Sequence, residues 1–321
     1  MDYSLLSHLP IIDGHVHFVH PEYLHEMIEL LDEAGCQRAN LVCIPNFDAS
    51  THNPSALYFK EHYPERTFIS AALEYGPALH DPIRQPAALA EQIHSLKARG
   101  FDGLKLIEGK PQVRKLLPYP LDGPLYTEMW SALEEENLPV LLHVADPDEF
   151  WDPLRCPEWA RQNGWDYSDG SYPAKEDFYT EVEHILTRHP GLKIILAHFY
   201  FLSNDLQRAA LLLDRYPGVK FDLAPHMEMY QDFSQQPEAA KAFFLRYQDR
   251  IIYGTDLDTR ALARSESGKH FMRYIPWLIR SFLEIDGIFS SPEGKIWCGI
   301  GLPSQVLEKI YQTNFEAFYL R

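Results

Sequence analysis

Two histidines one residue apart, His15 and His17, close the short apolar run 11–18 (IIDGHVHF). Side chains alternate across a strand, so Ile11, Asp13, His15 and His17 share one side. Two neutral imidazoles converging at a strand end are half of a site for zinc or a neighbouring transition metal. A chain with 15 His also sets two of them at this spacing by chance, so the pair alone leaves both readings open. Other polar residues stand at the ends of later apolar runs: Lys105 in GLKL, His143 in LLHVAD, His198 in IILAHF and Asp256 in IIYGTD. Singly, each has a plain explanation. A strand-end histidine is often a hydrogen-bonded rim residue, Lys105 a substrate-binding cation, and Asp256 a cap on the next helix. Together they are harder to explain that way, because each polar group after an apolar run needs a partner for its desolvation.

The elements that must position these residues alternate along the chain. Apolar strands are predicted over 11–18, 39–44, 68–73, 101–106, 138–143, 192–198, 219–223 and 250–256, with amphipathic helices between them. Continuously apolar strands alternating with helices indicate a parallel sheet buried on both faces. Eight such units predict an α/β (β/α)8 TIM barrel, which takes about 250 residues. In a chain of 321 residues the remainder fits an insertion after strand five and extra C-terminal helices. A doubly wound open sheet would carry a Gly-rich first turn; here the first turn carries His-x-His. No composition shift or linker divides the chain, so 1–321 reads as a single domain.

A barrel gathers its chemistry at the C-terminal ends of the strands, which puts all six polar residues on one face. The helical rhythm breaks over 145–173, where Trp151, Trp159, Trp165, Tyr167 and Tyr172 lie among Asp, Pro and Gly. A long aromatic loop in a compact domain is often functional. The segment is therefore expected to be a lid over the metal end, the plain alternative being a surface insertion with a small core of its own. On strand four, Gly103, Lys105 and Ile107 share a face, and the small residue is expected to leave room beside the lysine.

The formal net charge of −17 and the lack of a Lys/Arg cluster argue against nucleic acid or an anionic membrane as partner. No run is long and apolar enough to span a bilayer, and the first residues lack the features of a signal peptide. Four scattered cysteines indicate neither a disulfide framework nor a zinc ribbon. The expectation is a cytoplasmic protein whose partner is a small-molecule substrate, with homo-oligomerisation left open. No P-loop, nucleophile elbow or dinucleotide fingerprint is present; Gly299-Ile300-Gly301 lacks the third glycine and its context.

The order His-x-His, Lys, His, His, Asp on strands one, four, five, six and eight resembles the amidohydrolase superfamily. The texts quoted above, with the tail LPSQVLEKIYQTNFEAFY, resemble its amidohydrolase-related (amidohydrolase 2) branch, from Ile11 to about Tyr319. The resemblance implies a metal-dependent hydrolase. His15, His17 and Asp256 would hold one divalent ion, with zinc expected, and Asp256 would also move the proton of the attacking water. His143 and His198 would hold a second ion, or bind substrate and water if there is one ion. Lys105 would be a metal-bridging carbamate in a two-ion site, or an ammonium that anchors the substrate in a one-ion site. The bond cleaved would be C–O or C–N, in a lactone or amide of a small carboxylated molecule. The branch also contains metal-dependent non-oxidative decarboxylases, which is the second reading. A catalytically inactive barrel kept as a binding protein is the third. Glu108, Lys110, Glu228 and Tyr230 follow strand ends and are candidates for the pocket wall. Tyr200, His226 and Trp151 are expected to contact the substrate.

Overall fold

The computed structural model describes residues 1–47, 50–75, 84–226, 228–264 and 266–320. One sheet holds nine strands: β1 (Ile11–His17), β2 (Cys36–Val42), β3 (Thr67–Ala71), β4 (Gly103–Gly109), β5 (Val140–Val144), β6 (Ile194–Leu196), β7 (Val219–Asp222), β8 (Ile251–Ile252) and β9 (Leu257–Asp258). They run in chain order from β8 back to β1, with β9 beside β1, and every pairing is parallel. The two ends of this order meet. Gly14 N–H donates to Tyr253 O at 2.9 Å and Asp256 N–H donates to His15 O at 2.8 Å, so the chain after β8 closes the ring on β1. The result is the expected TIM-barrel fold. Closure needs the glycine, because a Cβ at Gly14 would stand 2.9 Å from Ile252 Cγ2 and 3.0 Å from Tyr253 O.

The strand predicted over 250–256 is shorter than its apolar text. Asp256 has φ +58°, which breaks the extended run between β8 and β9. A second sheet was not expected: β10 (Asp286–Ser290) and β11 (Ile296–Ile300) form an antiparallel hairpin. It follows a long helix, Glu266–Glu284, one of the expected C-terminal helices. The predicted terminal helix is three pieces, Ser304–Glu308, a π-helical turn Lys309–Thr313, and Asn314–Tyr319. Its last turn plugs the barrel: Phe315 and Phe318 pack with Ile12, Phe68, Leu141, Ile195 and Ile252. The space at Gly103 belongs to this plug and not to Lys105. A Cβ there would meet Pro139 O at 2.8 Å and Tyr319 Cε1 at 3.0 Å.

Residues 145–173 carry a 3-10 turn, Asp148–Trp151, and a short helix, Glu158–Gln162. Phe150, Cys156, Ala160 and Tyr167 form a core separate from that of the barrel, with the tryptophans packed on it. Among the described residues, no helix is long and apolar enough to cross a membrane.

Candidate active site

β1 delivers His15 and His17 to one point, and the turn after β8 brings Asp256 to meet them. His15 Nε2 is 3.3 Å and His17 Nε2 3.2 Å from the same oxygen, Asp256 Oδ1. One ligand atom from each of the three lies within 4.8 Å of the others. Lys105 on β4 is buried, with Nζ 3.2 Å from His15 Nε2. Burial pulls its ammonium down to about 8, although Asp256 and Asp222 pull the other way.

The hydrogen-bond partners decide which imidazole nitrogens carry protons. His15 Nδ1 donates to Asp222 Oδ2 at 2.8 Å, so Nε2 of the neutral ring is a bare lone pair directed at the site. His198 Nδ1 is 3.1 Å from Ala224 O, a group that can only accept, which leaves His198 Nε2 bare. His143 Nε2 is 3.0 Å from Ala145 O and 3.4 Å from Asp146 Oδ1, which leaves His143 Nδ1 bare. His143 Nδ1 and His198 Nε2 face each other at 3.1 Å. Burial, then Lys110, lowers His143 to about 4, and burial takes His198 well below the usual range, so both rings are neutral at pH 7. Three bare nitrogens and a carboxylate therefore crowd one buried space, with Lys105 as the nearby proton source. Such a set is short of positive charge, and it is the nitrogen and oxygen donor chemistry that divalent transition metals take.

Asp222 was not singled out from the sequence. It ends the apolar run of β7 as the other site residues end theirs, and that was the available signal. It is fully buried, which pushes its carboxyl up to about 6 against the pull of His198 and Lys105. Besides holding His15, its Oδ1 accepts from His198 N–H at 2.7 Å and Ala224 N–H at 3.2 Å, joining β1, β6 and β7 at the site. Carboxylates of this kind fix the tautomer and orientation of ligating histidines.

The backbone is strained where the site is built. Ala145, Asp256 and the whole run His198 to Phe201 have φ between +50° and +61° without being glycine. Left-handed geometry costs roughly 1–2 kcal/mol per residue, and strain of this kind concentrates at functional sites. The run also decides which aromatic ring faces the site. Phe201, not Tyr200, lines the cavity above the histidines. Tyr200 packs behind it on Tyr179, with ring centroids 4.5 Å apart.

That cavity has a volume of about 850 Å³. His143, His198, Asp256 and Lys110 line it near the strand ends, and Phe150, Trp159 and Trp165 enter from the insertion. His226 and Tyr230 also line it. Trp151 and Tyr200, expected to contact substrate, are not among its lining residues. Trp151 is turned into the small core of the insertion, where its Nε1 donates to Pro173 O at 3.0 Å. Glu108 accepts from Tyr75 OH at 2.6 Å and, like Glu228, stays out of the cavity wall. Asp146 links the insertion to the site: it accepts from Lys110 Nζ and from Tyr167 OH, each at 2.6 Å. Sequence reading also missed Tyr274 and Trp297, which line the cavity from the long helix and β11.

The family profile described as amidohydrolase matches residues 75–321, about three quarters of the chain. The chain belongs to the amidohydrolase family. No match was found among curated proteins. Solved structures similar to this chain include the 2,6-dihydroxybenzoate decarboxylase from Rhizobium, 16% identical, TM-score 0.59, covering 97% of this chain and 99% of the other. A dihydroxybenzoic acid decarboxylase from Polaromonas sp. JS666, with bound manganese and the inhibitor 2-nitroresorcinol, is 17% identical with TM-score 0.59, covering 97% of each chain. A 5-carboxyvanillate decarboxylase from Novosphingobium aromaticivorans, complexed with manganese and a nitrobenzoic acid, is 16% identical with TM-score 0.55, covering 100% of this chain and 98% of the other. At these identities the likeness is one of fold.

Proposed function

We propose that this amidohydrolase, as one domain over 1–321, is a metal-dependent hydrolase of a C–O or C–N bond in a small carboxylated substrate such as a lactone or amide. The observation that carries the reading is the crowding of bare histidine nitrogens and the Asp256 carboxylate around one space. His15, His17 and Asp256 hold one divalent ion, and His143 and His198 hold a second or bind substrate and water. An ion bound there polarises a carbonyl and acidifies water. Asp256, which faces the cavity, takes the proton of the attacking water and passes it to the leaving group. Lys110, at the inner wall, is a cation for a substrate carboxylate. Residues 145–173 cover the mouth and supply aromatic contacts.

A second reading, non-oxidative decarboxylation, is favoured by the aromatic walls of the cavity and by neighbours that decarboxylate aromatic acids. Zinc is the family expectation, and manganese is bound in two of those neighbours.

The deciding experiment loads the protein with zinc or manganese and screens lactones, amides and aromatic acids in ¹⁸O-labelled water. Hydrolysis puts solvent oxygen into the product. Release of carbon dioxide without such incorporation transfers the proposal to decarboxylation. Protein that retains no metal, with no activity altered by chelator, overturns both. The state of Lys105 is read by metal content. A carbamate site holds about two ions per chain, needs bicarbonate for reconstitution and loses one ion in Lys105→Ala. One ion per chain with no effect of bicarbonate assigns Lys105 to the substrate instead.

A further inference from the structure

The cavity is larger than the chemistry at the histidine cluster requires. Its volume, about 850 Å³, is in the upper part of the roughly 300–1,000 Å³ range of pockets that bury drug-sized ligands. His143 and His198 line its buried part, and His270 and Glu293 line it where it opens to solvent. This outer pair is about half exposed, with His270 Nε2 2.6 Å from Glu293 Oε1. The helix Glu266–Glu284 also contributes Phe271 and Tyr274, and β11 contributes Trp297. None of these three belongs to the strand-end cluster. Phe271 is 56% exposed although it lines a cavity. A large apolar ring left in water at a concave wall is surface that a bound apolar group would cover with gain. Trp297 is 4% exposed, and Lys295 Nζ stands 4.1 Å from its ring centroid, so the indole is held in place before anything binds. A substrate with a single ring at the histidine end would leave the exposed Phe271 ring wet.

We propose that Phe271, Tyr274 and Trp297 form a second binding subsite for a planar apolar group beyond the one that reacts. The substrate is then an elongated molecule: a reactive group at the histidines, a second planar group in the outer subsite, and a polar end at His270 and Glu293. The proposal rests on reading the histidine end as the reaction site, and the test below separates the two.

Benzoate and biphenyl-4-carboxylate are compared by calorimetric titration against the full, metal-loaded chain. The two-ring probe is expected to bind about tenfold more tightly or better, from the additional apolar area covered. In the Phe271→Ala/Tyr274→Ala variant this preference is lost while benzoate affinity and metal content stay unchanged. Phe271→Ala alone, a change at a largely exposed side chain, loses part of the preference and serves if the double variant misfolds. Equal affinities in the unaltered protein, no binding of the two-ring probe, or a preference that survives in the variants overturns the subsite. Chelation reads the inner end separately: if it weakens neither probe, the metal reading fails while the ratio of the two probes still reports on the outer subsite.

Discussion

The two ends of the barrel bury polar side chains on the same sheet and deal with them in opposite ways. At the end plugged by the C-terminal helix, Asn40, Ser70 and Tyr319 satisfy one another. Asn40 Nδ2 donates to Gly14 O at 3.1 Å and Tyr319 OH at 3.0 Å; Ser70 Oγ donates to Asn40 Oδ1 at 3.1 Å and lies 3.0 Å from Tyr319 OH. The Tyr319 ring stacks on Phe315 with centroids 4.2 Å apart. These groups are neutral and paired, and they make a seal. At the other end, His143 Nδ1 and His198 Nε2 meet lone pair to lone pair, Asp256 presses on two imidazoles, and four successive residues are left-handed. That end is only partly satisfied by the chain's own atoms: Lys105 Nζ reaches His15 Nε2, while His143 Nδ1 and His198 Nε2 are left facing each other. A buried polar group with a partner stabilises a fold, and one facing another acceptor calls for a ligand.

The largest effect that would test this contrast is at Asp256. Asp256→Asn is expected to lower turnover on an accepted substrate by about 10²–10⁴-fold without lowering the melting temperature. Rates and thermal melts on the same preparation check both parts, and a collapse of the fold would make this end structural like the other. Asp222→Asn should weaken metal binding by about 10–100-fold, since an amide no longer dictates which His15 nitrogen is bare. Competitive metal titration measures this, and unchanged affinity would refute the tautomer argument.

The plugged end should respond in stability alone. Tyr319→Phe removes the hydroxyl shared by Asn40 and Ser70 and is expected to cost about 1–3 kcal/mol, read by denaturant unfolding, with metal content unaltered. Loss of metal in this variant would show that the two ends are coupled. The smallest effect concerns Lys220 on β7, beside the plug, where burial and then Arg250 pull the ammonium down to about 8 from 10.5. The folded chain releases this proton at lower pH than the unfolded chain. Between about pH 8 and 10.5 the unfolded state therefore holds more protons, and stability rises with pH across that window. Subtracting the unfolding profile of Lys220→Met from that of the unaltered protein should isolate the rise. A flat difference would mean that the lysine is as well solvated as any on the surface.

Much of this contrast was legible in the residues themselves. The runs ending in His17, His143 and His198 alternate or stay apolar over a few residues, so local pattern was enough to place them near strand ends, and fold class followed from their repetition; Lys105, expected at a strand end, lies inside β4, which continues to Gly109. The hairpin could also have been read. Ile288 to Ser290 and Ile296 to Cys298 flank Pro292-Glu293-Gly294, a turn signal between two β-prone segments. Other features had no local signature. Nothing in the types of His198, Phe199, Tyr200 and Phe201 announces left-handed backbone, and this is why Tyr200 was expected in the wall that Phe201 occupies.

The sequence by itself determined which side chains stand at the strand ends and that the barrel gathers them on one face, because strand alternation and apolar runs are set by near neighbours in the chain. Only the tertiary structure decided which nitrogen of each imidazole is bare. That depends on Asp222 reaching His15 across 207 positions and on Ala224 O reaching His198 from the next strand. It also decided the shape of the cavity, whose walls come from the insertion after β5 and from the helix and hairpin after β9. Lone-pair direction and cavity shape arise from contacts between segments far apart in the chain, and no local pattern encodes them.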